Sequence, residues 1–370
     1  MLLSYLSRVK QGFAVLLAHD IPSVFAFSFV FLFFQEQGYS LWWLILIYVV
    51  YSAVGIIITI PLRTFYLRSF LLISFISYSL LALLLWWNLP YAPLLYGLML
   101  SFPLIFFWIP LNYIFFRKST KETNAVDSTL FMVLPGLVSI IMPPLGALVI
   151  SRSGYGSLFI VTAVLFLLPL WFIWKKIPEE KLYAAPLGEE IKKYRGLRTI
   201  TFLEGALHFF VGVIVAVYTL LFFQRASEIG WFLSYLAIIS FIIAMFLSRH
   251  SDQTQQRKKN LFLLFFTLTF SILSLALVKS TTGWLIAISI FTVIYAISSP
   301  LRLAVSMDVK KTDIGFWKTR EIFLNMGRVV TLSISAVLFY YQMYWAVFVM
   351  FGVITLVYPF LVNYKLKEIQ

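Results

Sequence analysis

The chain has 370 residues, of which 61% are hydrophobic and only 12% charged, with a mean hydropathy of +0.93 and a formal net charge of +14. Soluble domains run near about 45 to 50% apolar, so one soluble core cannot bury this much, and the solvent for most of the surface is lipid. The absence of cysteine excludes disulfides and thiolate metal sites.

In lipid the backbone must satisfy its own polar groups, which leaves helices or closed barrels, and long apolar runs without period-two alternation choose helices. The expected fold class is an all-α integral membrane protein. Residues 1–10 are basic and lead into a full-length span interrupted by His19 and Asp20, with no small-residue cleavage site. They read as the start of a first membrane helix rather than a signal peptide.

Twelve spans follow from the apolar runs: 13–34, 40–60, 64–87, 91–114, 125–150, 154–174, 199–223, 228–248, 260–278, 283–305, 316–341 and 344–363. With both termini on one side, 24 of the 29 Lys and Arg fall on that side. Arg152, Arg225 and Lys279 fall on the other, and Arg302 and Arg328 lie within spans. The positive-inside rule makes the termini and the central loop cytoplasmic and the membrane the plasma (cytoplasmic) membrane. The excess charge is then topology and attraction to anionic headgroups, so nucleic acid is not an expected partner. All 11 Trp lie near span ends, as an aromatic belt requires.

The second half repeats the first at an offset of 189 to 191 residues: Phe13 matches Phe202, His19 matches His208, Trp42 matches Trp231, Arg68 matches Arg257 and Pro110 matches Pro300. The expected organisation is a six-helix bundle over 1–175, a charged cytoplasmic loop over 176–198 and a second six-helix bundle over 199–370. Residues 187–198 read either as a basic amphipathic helix along the membrane surface or as a solvated linker.

Two six-helix halves in parallel repeat, with short outer loops and one long middle loop, resemble the major facilitator superfamily of secondary transporters. In that family the loops between helices 2 and 3 and between 8 and 9 carry a glycine, an aspartate and a basic cluster. The second copy here reads Ser248-Arg249-His250-Ser251-Asp252 before Arg257-Lys258, with serine in place of the glycine. The first copy keeps only Arg63 and Arg68, without the aspartate. In the fifth span Pro143 and Gly146 partly match the Gly-Pro-x-x-Gly-Gly pattern of the superfamily's antiporters. The resemblance implies alternating access without a cofactor, and on balance export.

Ionisable groups inside a span cost about 2.5 to 3.5 kcal/mol each on insertion scales, so each needs a reason. Glu321, Asn325 and Arg328 recur at i, i+4 and i+7 and form one polar face, with Gly327 beside it for close helix contact. Arg328 binds an anionic or zwitterionic substrate, switches partners during transport, or is a paired structural residue. Asp20, Glu204, His19 and His208 are the proton-coupling candidates, because an imidazole beside a carboxylate shifts easily across working pH. Glu204 reads equally as a first-turn residue favoured by the helix dipole. Asn112 and Arg302 mirror one another after Pro-Leu and complete the substrate-binding candidates, although Arg302 also reads as a snorkelling cation. Three histidines without cysteine and without a close ligand cluster give no metal site.

The expected function is secondary active transport of a small molecule, proton-coupled or driven by another ion, by a monomer in contact with membrane lipids. Proton-coupled uptake of an organic anion or zwitterion is the alternative, and a lipid flippase or scramblase is the alternative of another class. Short outer loops and scattered carboxylates argue against an enzyme.

Overall fold

The computed structural model describes residues 2–89, 91–120, 123–254, 257–310 and 312–367, with side chains from residue 11 onward apart from 125, 133–134, 244–261 and 366–367. The first half contains α1 (Leu2–Ala26), α2 (Val30–Glu36), α3 (Leu41–Thr59), β1 (Thr64–Tyr66), α4 (Leu67–Trp87), α5 (Ala92–Phe116), α6 (Asn124–Leu167) and α7 (Leu170–Lys176). The middle segment contains β2 (Lys181–Tyr183) and α8 (Leu187–Lys193). The second half contains α9 (Arg198–Phe209), α10 (Ala216–Thr219), α11 (Ala226–Thr254), α12 (Arg257–Leu275), α13 (Thr281–Val309), α14 (Ile314–Tyr340) and α15 (Tyr344–Lys367).

Among the described residues, ten helical segments are long and apolar enough to cross a membrane. The protein is therefore a multi-pass helical membrane protein. The longest of these segments, Val126–Lys176, has 51 residues, and at 1.5 Å per residue it would run roughly 75 Å, more than twice a bilayer core of about 30 Å. Gly154 divides it: φ of 75° and ψ of 173° are open to a residue without a Cβ and end the helical run there. Phe262–Leu275 is a shorter apolar helix.

The first helix of each half is interrupted. A 3₁₀ turn at Phe27–Phe29 separates α1 from α2, and a π turn at Phe210–Val215 separates α9 from α10. Departures of this kind inside long helices mark hinges and functional sites. Each follows a histidine, His19 in α1 and His208 in α9, within about eight residues.

The halves meet along two seams, α3 against α14 and α6 against α11. In the second seam Gly230 packs on the carbonyl of Pro143, and Ser234 Oγ donates to the Ile140 carbonyl at 2.5 Å. Nearer one end, Lys318 Nζ donates to the Ile60 carbonyl at 3.1 Å and Asn124 Nδ2 to Asp308 Oδ1 at 2.9 Å. At the other end of the first seam, Trp42 and Tyr340 meet edge to face at 5.6 Å.

The tryptophans differ in exposure. Trp86, Trp87, Trp171, Trp174, Trp231 and Trp345 are exposed, whereas Trp284 and Trp317 are buried. Trp284 donates Nε1–H to Thr219 Oγ1 at 3.2 Å and stacks on Phe222, so it ties α13 to α10.

Candidate substrate site

The site depends on how closely α9 and α14 approach. Gly205 lies against the carbonyl of Leu324, and Gly327 lies against the carbonyl of Phe202. A Cβ at either position would overlap backbone, so the two glycines allow a crossing that larger residues forbid. Their chain neighbours Glu204 and Arg328 are carried into the packed seam by that approach.

Arg328 is 4% exposed. Its Nη1 donates to Glu321 Oε1 at 2.9 Å and to Asn325 Oδ1 at 2.8 Å, with a longer contact of 3.5 Å to the Tyr51 hydroxyl of α3. Nη2 lies 3.3 Å from His208 Nδ1, and the guanidinium sits 4.4 Å above the Phe209 ring. Since arginine has no acceptor, His208 Nδ1 is the acceptor, and the imidazole carries its hydrogen on Nε2. Two donors remain: Arg328 Nε and Asn325 Nδ2 are buried with no hydrogen-bond partner among the described residues. Orphaned buried donors are costly, and a ligand that brings acceptors satisfies them.

A second buried group adjoins on the same helices. Glu204 accepts from the Tyr358 hydroxyl at 2.9 Å and the Ser306 hydroxyl at 3.4 Å through Oε1, and from Arg320 Nη2 at 2.9 Å through Oε2. At 3% exposure it is enclosed by α13, α14 and α15 rather than resting at a helix mouth. Arg302 is also buried, with its guanidinium 5.0 Å from the Tyr295 ring centroid and Nε lacking a hydrogen-bond partner among the described residues.

The structure thus brings Arg328, Asn325, Glu321 and His208 into one network, with Glu204 beside it. It keeps His19 and Asp20 elsewhere. His19 Nδ1 meets Asp20 Oδ1 at 2.9 Å and Ser23 Oγ lies 3.2 Å from Nε2, while the ring stacks on Phe107 and meets Tyr78 edge to face. Asp20 Oδ2 and the Tyr78 hydroxyl are buried without partners among the described residues. Asn112 is buried in α5. Gly146 packs on the carbonyl of Phe25, so the glycine of the fifth-span pattern makes the α6–α1 crossing.

The loop-motif residues divide. Asp252, Arg257 and Lys258 lie outside the described side chains. Arg63 and Arg68 flank β1, which pairs antiparallel with β2. Glu179 Oε2 lies 3.6 Å from Arg68 Nε and accepts from Ser69 Oγ at 2.5 Å, and Glu180 accepts from Arg117 at 3.1 Å and Tyr113 at 3.3 Å. The middle segment therefore supplies carboxylates to a loop that has none of its own. Nor is residues 187–198 a solvated linker: Glu190, Tyr194 and Leu197 are buried, and Tyr194 packs on Phe316 and Phe323 of α14. Burial pushes the Tyr194 phenol above its ordinary range, and the hydrogen bond to Glu190 raises the Lys193 ammonium.

Several members of the network are absent from the sequence-based candidates. Tyr51, Tyr358 and Ser306 carry no signal among 20 Tyr and many polar helix residues. Arg320 and the buried Lys318 carried one, being charges in the first turns of a span, but that position also suits cytoplasmic cations.

Long, kinked apolar helices packed around buried guanidinium–carboxylate pairs define a multi-pass helical membrane protein. The sequence profile of the Major Facilitator Superfamily matches residues 63–316, more than half of the chain, and the chain belongs to that superfamily of transporters. Its fold is similar to the crystal structure of the human organic anion transporter MFSD10 (TETRAN), with TM-score 0.70 and 13% identity over 96% of this chain and 98% of that one. It is also similar to the E. coli fucose:proton symporter FucP, with TM-score 0.65 and 14% identity over 95% of this chain and 98% of that one. No curated protein sequence matches it significantly.

Proposed function

We propose that the protein is a secondary active transporter of a small organic anion or zwitterion, working by alternating access between the bundles 1–175 and 199–370 joined by the cytoplasmic segment 176–198. Twelve spans follow when Val126–Lys176 is divided at Gly154 and Phe262–Leu275 is counted as part of a span through α12. Both termini are cytoplasmic and the monomer sits in the plasma membrane. One observation carries the choice of cargo: Arg328 Nε and Asn325 Nδ2 are neighbouring buried donors without partners among the described residues, on the same polar helix face. They ask for acceptors rather than for an apolar cation. The printed descriptions of the two similar structures, an organic anion transporter and a proton symporter, agree with anion movement coupled to protons. The Pro143–Gly146 pattern, accounted for by helix packing, no longer favours export, and uptake down a proton gradient is the preferred direction.

The test is a thermal-shift screen of organic anions and apolar cations against purified wild type and Arg328→Ala, at about pH 5.5 and about pH 7.5, either side of the imidazole range. Ligand binding raises stability by mass action, so a hit needs no assumption about direction. Anions are expected to stabilise the wild type and not the variant. Stabilisation by cations alone, equal in both proteins, would overturn the anion reading.

A further inference from the structure

Among the described residues, the ion-pair partner of Arg328 is Glu321, at 2.9 Å. Its other contacts, Asn325 Oδ1, the Tyr51 hydroxyl, His208 Nδ1 and the Phe209 ring, are neutral. Glu321 engages one edge of the guanidinium through Nη1. Among the described residues the hydrogen-bond contact of the Nε–Nη2 edge is the imidazole, and Nε has no hydrogen-bond partner. A carboxylate binds the Nε–Nη2 edge through two parallel hydrogen bonds as well as it binds the terminal edge.

An anion seated there would place two carboxylates around one buried guanidinium. In a low-dielectric site two such groups do not both stay ionised, and one takes a proton. The charged and titratable groups that face Glu321 determine which. On its own helix these are Arg328, already shared with the incoming anion, and Arg320, engaged by Glu204. Tyr51 from α3 and Tyr194 from the middle segment lie within electrostatic reach of Glu321; from α9, His208 faces Arg328 and Glu204 engages Arg320, and Arg302 of α13 lies over the Tyr295 ring. No second cation contacts Glu321 among the described residues.

We propose that Glu321 is the exchange carboxylate of the site: the substrate anion takes its place as counter-ion to Arg328 while Glu321 takes up one proton from the aqueous phase. This rests on the reading that Arg328 binds the cargo. Charge balances, because the empty site holds Arg328⁺ with Glu321⁻ and the loaded site holds Arg328⁺, the substrate anion and neutral Glu321. No covalent bond changes apart from the new O–H on Glu321, and release of the anion returns that proton to water. Both states carry the same net charge, so both reorient across the membrane with the guanidinium paired. The coupling proton thereby sits on Glu321, not on Asp20 or Glu204, and the ratio is one proton per anion.

The experiment uses the full-length protein in detergent with benzoate, a planar monocarboxylate, as probe. In weakly buffered solution with a pH indicator, the wild type at about pH 7.5 is expected to take up about one proton per benzoate bound, and its affinity to rise about tenfold for each pH unit of acidification. Glu321→Gln, which mimics the protonated acid, is expected to bind benzoate at least about tenfold more tightly at about pH 7.5, without proton uptake and without pH dependence. Binding to the wild type without proton uptake overturns the exchange, as does a Glu321→Gln protein that keeps the wild-type pH dependence. Should Glu321→Gln fail to fold, proton uptake by the wild type decides alone. Undiminished binding to Arg328→Ala instead overturns the reading of the site itself, and absence of benzoate binding to the wild type and Glu321→Gln overturns both.

Discussion

Gly205 of α9 and Gly327 of α14 sit on opposite sides of one helix crossing, each pressed against a carbonyl of the other helix. The crossing has no room for a methyl group, and backbone cannot swing aside as a flexible side chain would. Gly327→Ala is expected to force the helices apart and cost about 1 to 3 kcal/mol, the usual range for overpacking a well-filled core. Thermal unfolding in detergent reads this directly. The same variant should lose stabilisation by anions, because His208 and Phe209 ride on α9 while Arg328 rides on α14. An unchanged melting temperature with intact anion binding would mean that the crossing tolerates a Cβ and that the glycines do not position the site.

Glu204 and Arg320 form a pair in which Glu204 is almost wholly buried, with side-chain exposures of 4% and 13%. Glu204→Gln keeps an acceptor for the Tyr358 hydroxyl but leaves Arg320 without its counter-charge. Removing one partner of a buried pair costs about 3 to 5 kcal/mol, whereas replacing both by apolar groups is often close to neutral. Glu204→Gln should therefore unfold at lower denaturant, and adding Arg320→Leu should recover a large part of the loss. Single and double variants give the coupling from one cycle. A single variant as stable as wild type would show that water or a neighbouring carboxylate already serves Arg320.

His208 accepts from Arg328 through Nδ1, so it must present a lone pair there. His208→Asn offers an amide oxygen in a similar place and should retain anion-dependent stabilisation. His208→Lys puts an ammonium beside the guanidinium, and like charges at about 4 Å in a protein repel by about 4 kcal/mol at an effective dielectric of 20. That variant should fail to accumulate or should melt well below the wild type. Equal behaviour of the two variants would remove His208 from the site.

The polar face of α14 was legible because helical periodicity alone places Glu321, Asn325 and Arg328 together, and charges in a span are too costly to be incidental. Its partners were not. Tyr51 and Tyr358 come from other helices in a chain rich in tyrosine, and nothing local separates a pore-facing phenol from a packing one. Lys318 and Arg320 were hidden by their position in the first turns of a span, where the positive-inside rule already leads one to expect basic residues. His19 and His208 match in the repeat yet differ in environment, one against a carboxylate and one against a guanidinium, because a repeat preserves backbone position and not the residues opposite. The β1–β2 pairing involves only three residues per strand, too few to show period-two alternation above background.

That pairing ties the segment after α3 to the middle segment. Arg68 and Glu179, with side-chain exposures of 27% and 29%, and Arg117 and Glu180, with 26% and 37%, are open enough to be screened by water. Such pairs contribute about 0 to 1 kcal/mol each, so Glu179→Ala and Glu180→Ala should barely move the melting temperature. A strap of this strength is suited to release during each cycle. In the register Thr64↔Tyr183, Phe65↔Leu182, Tyr66↔Lys181, the bonds from Ala184 N to Arg63 O and from Leu67 N to Glu180 O make Thr64 and Tyr183 a non-hydrogen-bonded pair. Side chains at such pairs approach most closely, which suits a disulfide. The chain has no cysteine of its own, so Thr64→Cys with Tyr183→Cys gives one defined cross-link. Oxidised protein in vesicles should lose benzoate uptake while still binding benzoate, and reduction should restore it. Uptake at the wild-type rate by the oxidised protein would mean that β1 and β2 stay paired throughout the cycle and that the opening at this end forms elsewhere, between α6 and α13 where Asn124 meets Asp308.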